Sequence, residues 1–203
     1  MKVSIMQERS LETRASILEA SVSLFASQGY DATGVAEICA AAGVSKGAFY
    51  HHFPSKQAVF LAILEDWLAA LDLQLEQKLV ESKDIPSGLI EMASITQGIF
   101  TAAGGHLAMF IEFWSQSLHD PEVWKATVDP YRRYTRLFSG YIQRGIDEGS
   151  LRQVNPDAAA RMIVGLAVGT LAQGLMDPDS TDWGDTAISS MEMIINGLKR
   201  EES

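Results

Sequence analysis

Residues 33–56, TGVAEICAAAGVSKGAFYHHFPSK, leave the chain few choices. Small apolar residues run from Cys39 to Ala42, and Gly43 stands where a helix must end with the backbone at positive φ. Ser45 can cap a next helix, and the residues from Lys46 to His52 supply one to two turns of it. Pro54-Ser55-Lys56 stops that segment and caps the following one. Small side chains around a glycine turn let two helices cross closely. A helix-turn-helix that inserts its second helix into a DNA major groove needs that crossing.

The rest of the chain is helical in pattern, with no period-two run. A first helix is expected from Leu11 to Gln28, closed by Gly29. A long fourth helix starts at Ser55 and carries Phe60, Ile63, Leu64, Trp67, Leu68, Leu71 and Leu75 as one apolar stripe. Ile85-Pro86-Ser87-Gly88 reads as a break before a fifth helix. A sixth runs from His106 to Leu118. Asp120-Pro121-Glu122 and Asn155-Pro156-Asp157 are paired start signals of a cap, a first-turn proline and a carboxylate. Pro130 should kink or divide the seventh helix. A last helix covers about Trp183 to Lys199.

Gly29-Tyr30, Thr33, Val35, Ile38, Ala42-Gly43-Val44-Ser45, Tyr50, His52-Phe53 and Ser55-Lys56 resemble, in register from about Arg14 to about Leu64, the N-terminal domain of the TetR family of transcriptional regulators. The resemblance implies an all-α fold. A three-helix helix-turn-helix domain at 1–56 would be joined by a long helix to a helical effector-binding and dimerisation domain at 57–203. It implies DNA contacts by Lys46, Gly47, Ala48, Tyr50, His51 and Lys56, with Phe49 and Phe53 in the core; Thr33 and Ser45, beside them as helix caps, are further candidate contacts. Their chemistry agrees. Lys46 can reach a guanine edge or a phosphate, Gly47 lets the backbone approach, and Ala48 offers a methyl to thymine. Tyr50, His51 and Lys56 can serve phosphates. One departure is Gly34, where many relatives carry Ser or Thr; Thr33 is then expected to cap the second helix.

A net charge of −10 is unusual for a partner of double-stranded DNA, but it is unevenly placed. In residues 1–56 the basic and acidic side chains cancel, so the whole excess belongs to 57–203. An acidic body disfavours general adhesion to nucleic acid and to anionic membrane. Met1 to Glu12 has no apolar run of the signal-peptide kind, and the single Cys39 suits a reducing compartment, so a cytoplasmic protein is expected. Ala158 to Met176 is apolar and contains Gly165-Leu-Ala-Val-Gly169, but Arg161 and Gln173 interrupt it, which favours a packed soluble helix over a membrane span.

In the body, Phe100, His106, Phe110, Phe113, Trp114, Tyr131, Tyr134 and Phe138 are the candidates for an apolar effector pocket. Leu166, Gly169, Thr170, Gln173, Ile188, Met191, Ile195 and Leu198 are the candidates for a homodimer interface built from the last two long helices. The leading expectation is a homodimeric repressor released from a palindromic operator by a small, largely apolar effector. An alternative is a DNA-binding regulator governed by a protein partner, with a filled core. An all-helical enzyme using His106, Glu112, His119 and Asp120 is the remaining alternative, but no metal-ligand spacing, phosphate loop or nucleophile motif accompanies those residues. No cofactor or metal is expected; the adjacent His51 and His52 point to different sides of a helix.

Overall fold

Local chemistry sets most helix ends in the computed structural model, which describes residues 2–101 and 106–200; the side chains of 2–6, 101, 106–108 and 110 lie outside the described set. Within these residues the helices are α1 (Lys2–Gln28), α2 (Val35–Ala42), α3 (Lys46–His52), α4 (Lys56–Glu81), α5 (Ile85–Thr101), α6 (His106–Ser117), α7 (Pro121–Asp147), α8 (Pro156–Met176) and α9 (Trp183–Leu198). Gly29 closes α1 at φ 87° and Gly43 closes α2 at φ 67°, both in the left-handed region that favours glycine. The Ser45, Asn155 and Asp182 side chains each accept a backbone N–H three residues on, at 3.1, 3.0 and 2.9 Å.

Three expectations change. α1 begins at Lys2, well before Leu11. Ile85-Pro86 opens α5 instead of breaking the chain, because the Asp84 carboxylate accepts the Ser87 N–H at 2.8 Å and a first-turn proline has no N–H to lose. Its hydrogen bonds to Ser87 hold the Asp84 carboxyl below its usual range. Of the kink or division expected at Pro130 only the kink is left, because α7 runs unbroken through that residue. Its other hydrogen bonds carry the helix past the one that proline removes.

By packing, the residues fall into two units. One comprises 1–67 and 103–126, the other 68–102 and 127–203. One division lies inside α4, one between α5 and α6, and one inside α7. In the first unit α1 packs on α2, α3 and α6, and α2 packs on α3. Ile17, Ile38, Phe49, Val59 and Phe60 are fully buried there, and Cys39 lies buried in α2 as a free thiol. In the second unit α5 lies along α9, and both meet α8. Its core includes Leu89, Ile142, Ala160, Ile163 and Ile195.

α8 is the one helix among the described residues long and apolar enough to cross a membrane. Ala159, Ala160, Ile163, Val164, Thr170, Leu171 and Gly174 on it are buried against protein. Gly174 is there for space. A Cβ built on it would lie 2.2 Å from Phe100 Cε1 and 3.1 Å from Trp183 Cγ. Gly174→Ala should therefore cost about 1–3 kcal/mol of overpacking, read as a lowered thermal midpoint. An unchanged midpoint would show that the two rings yield freely.

Candidate nucleic-acid interface and body residues

α3 has two chemically distinct sides. Phe49 is fully buried and Phe53, just past its end, nearly so; their ring centroids are 6.2 Å apart. Arg14 lies over the Phe53 ring at 5.5 Å and pairs with Asp66 at 3.5 Å. The other side carries exposed Lys46, Gly47, Tyr50 and His51, with Ala48 half-buried. Ser45 is exposed, and its hydroxyl is occupied as the N-cap by the Ala48 N–H. Tyr50 is anchored edge-on against Phe49 at 5.3 Å while more than half of it faces outward. The result is a short rigid helix offering one cation, one phenol and one imidazole, with a glycine between them. Such a surface can bond phosphates and base edges.

Like Ser45, two more of the expected DNA contacts are engaged within the protein. Thr33 is buried. Its hydroxyl donates to Gly29 O at 2.8 Å and accepts from Gln28 Nε2 at 3.2 Å. It does not cap α2. That cap is Gly34, whose N–H donates to Glu37 Oε2 at 2.7 Å. Lys56 Nζ donates to Tyr30 O at 2.6 Å and Thr33 O at 2.9 Å, and lies 4.1 Å from the Tyr30 ring centroid. Burial pushes its pKa down, while Asp31 and Glu112 oppose that shift. Burial also raises the Tyr30 phenol, helped by Asp120 and Asp31.

Sequence reading missed the far side of this cluster. Tyr30 N–H donates to Glu112 Oε1 at 2.9 Å, and Gln57 Nε2 donates to Asp120 Oδ2 at 2.9 Å. Both carboxylates come from α6 or the start of α7, more than fifty residues from their partners. No local signal announces such pairs.

The expected effector residues are divided between the two units. Phe113 and Trp114 belong to the first unit; Phe100, Tyr131, Tyr134 and Phe138 belong to the second. Phe113 turns inward onto Phe60 at 4.3 Å, whereas Trp114 is half-exposed, so these neighbours do not share a face. The side chains of His106 and Phe110 lie outside the described residues. Phe138 is buried beside Tyr141 at 6.1 Å. Tyr134 OH donates to Asp72 Oδ1 at 2.8 Å, and Arg133 bonds both Asp72 Oδ2 at 2.6 Å and the phenol at 3.1 Å. Burial and then the Asp72 bond raise the Tyr134 phenol strongly. Phe100 and Tyr131 stay partly exposed.

The expected interface residues divide as well. Thr170, Met191, Ile195 and Leu198 are buried inside their own unit, and the Thr170 hydroxyl donates to Leu166 O at 2.8 Å. Leu166, Gly169 and Ile188 are partly exposed, and Gln173 is exposed. The open apolar groups on these helices are Met162, Leu175, Met176 and Met193. Among the described residues, no atom beyond the chain neighbours and the helix's own backbone lies within 4 Å of a Cβ built on Gly165 or Gly197.

Among the described residues no three His, Cys, Asp or Glu side chains gather as metal ligands.

Comparison with known proteins agrees with this geometry. Residues 17–63 match the family model described as bacterial regulatory proteins, tetR family, and residues 100–192 match that of the BetI-type transcriptional repressor, C-terminal. The HTH-type transcriptional regulator UidR of Escherichia coli is 26% identical over 82% of this chain and 84% of its own. A transcriptional regulator of Saccharomonospora viridis in complex with choline superposes with a TM-score of 0.82 at 21% identity, covering 94% of this chain and 99% of that one. The regulator FadR of Bacillus subtilis in complex with stearoyl-CoA does so at 0.81 and 19% identity, covering 91% and 98%.

Proposed function

The chain belongs to the TetR family of DNA-binding transcriptional regulators, and from that premise we propose that it is a homodimeric repressor that leaves a near-palindromic operator when a small, largely apolar effector binds. The observation that carries the reading is the outward side of α3. Lys46, Gly47, Tyr50 and His51 are exposed together, while Phe49 locks the opposite side into the head. Two copies related by a two-fold axis present two such helices to successive major grooves, about 34–36 Å apart. An effector that favours another spacing weakens binding by its differential affinity for the two arrangements.

The choline and stearoyl-CoA carried by two regulators of the same fold support a small-molecule ligand for the body. The two ligands have little in common, so the fold alone does not select one. A second reading, control by a protein partner, draws support from the buried Tyr134, tied to Asp72, and the buried Phe138, which fill part of the body with its own side chains. A thermal-shift screen separates the two. A small molecule that raises the melting point and lowers operator affinity favours the first, and operator release only on adding a protein favours the second.

Lys46→Ala or Tyr50→Ala should weaken operator binding by about tenfold or more and leave the fold intact, since both side chains are exposed. Lys46→Ala should also lower the salt slope of binding by about one if it meets a phosphate. Unaltered gel-shift titrations for both variants would remove α3 from the contact.

A further inference from the structure

The backbone of Tyr30 is gripped from two sides inside the first unit. Its N–H donates to the Glu112 carboxylate of α6 at 2.9 Å, and its carbonyl accepts from Lys56 Nζ of α4 at 2.6 Å. The same ammonium takes Thr33 O at 2.9 Å and lies against the Tyr30 ring at 4.1 Å. Thr33 in turn closes on Gly29 O, and Glu112 Oε1 also accepts from Gln116 Nε2 at 3.3 Å. The turn that delivers α2, and behind it α3, is therefore tied to one helix by a cation and to another by an anion. Two of the three ammonium N–H groups are spent on carbonyls. Charge-assisted bonds of this kind hold geometry well, and both partners sit on helices, α4 and α6.

We propose that Lys56 and Glu112 are positioning residues for DNA recognition: they clasp the Tyr30 turn and so set the seat of α2 and α3, Lys56 acting through carbonyls instead of a phosphate and Glu112 bringing the seat under the influence of α6. The proposal rests on the operator-binding reading above and adds a mode of control to it. Phe113, next to Glu112, packs on Phe60, so a displacement of α6 disturbs the clasp and the ring cluster together.

The test uses the full chain with Lys56→Met, which keeps most of the aliphatic stem, Glu112→Ala, the double variant, and Lys46→Ala as reference. Operator affinity is titrated over a range of salt, and exchange of the Tyr30 amide is followed without DNA. Each single change should lower affinity about tenfold, as for loss of a bond to a charged group. The double variant should lose little more than either single one, since both act through one turn. The salt slope should stay at the wild-type value in Lys56→Met, against the fall of about one that a lost phosphate contact gives, the value for Lys46→Ala if that lysine meets a phosphate. The Tyr30 amide should exchange at least tenfold faster in Glu112→Ala. A slope reduced by one in Lys56→Met makes it a phosphate contact and overturns the proposal; so do additive losses or an unprotected Tyr30 amide in the wild type. Should Glu112→Ala not fold, the slope of Lys56→Met decides. If the wild type binds no palindromic duplex, the operator reading fails, while amide exchange still judges the clasp.

Discussion

Phe60→Ala should unfold the head at temperatures where the wild type is native. The ring is fully buried and meets three others: Phe25 edge-on at 5.6 Å, Tyr30 at 4.6 Å and Phe113 at 4.3 Å. These four rings come from α1, the following turn, α4 and α6. Removing one takes the central packing surface from all of them. A buried Phe→Ala change costs about 3–5 kcal/mol, against a typical total of about 5–15 for a domain. In a domain near 100 residues each kcal/mol lowers the midpoint by about 4–8 °C, so the loss should exceed 10 °C. Operator binding should vanish with it. Circular dichroism melts and gel shifts at two temperatures check this. A shift of only a degree or two would mean that the rings are not packed as described.

A double change, Met162→Glu with Met193→Glu, should produce a folded monomer that binds operator 10²–10⁴-fold more weakly. The loss is what linked half-sites forfeit when the second contact is no longer intramolecular. Both side chains are mostly exposed, at 52% and 69%, so neither new carboxylate enters the core. In an apolar contact between copies, however, each would be a buried and repelled charge. Light scattering after gel filtration reads the mass, and a melt confirms the fold. Ile195→Asp is the informative contrast. Ile195 has no exposure, so this change should destroy the second unit instead of dissociating a dimer. A double variant that remains dimeric moves the interface elsewhere.

The head is legible in the sequence because its instructions are local. Gly43 and Ser45 act within four residues, and Phe49 and Phe53 are four apart on one side. The family resemblance lies in the same stretch. Lys56 is legible as a cation but not as to partner, since nothing nearby in sequence says that the Tyr30 and Thr33 carbonyls face it. Asp120 is legible as the cap of α7, which its bonds from the Glu122 and Val123 N–H groups bear out. Neither its further bond, from Gln57, nor the bond of Glu112 to the Tyr30 N–H has a local signal. On α9, Met191, Ile195 and Leu198 make a genuine apolar stripe. Periodicity finds such a stripe but not what covers it. Here much of the cover is α5, which lies along α9, and the open methionine is Met193. Tyr134 and Phe138 pose the same problem on α7: bulk and spacing suit a pocket wall and a filled core equally, and both residues sit in the core cluster.

Cys39 gives the chain a built-in clock. It is the only sulfhydryl in the sequence and is 5% exposed within α2. A disulfide reagent should therefore modify the native protein only as fast as the region around α2 opens, with no background from elsewhere. The labelling half-life, measured with and without duplex, would time that opening by a single chemical event and spare the need for an introduced probe.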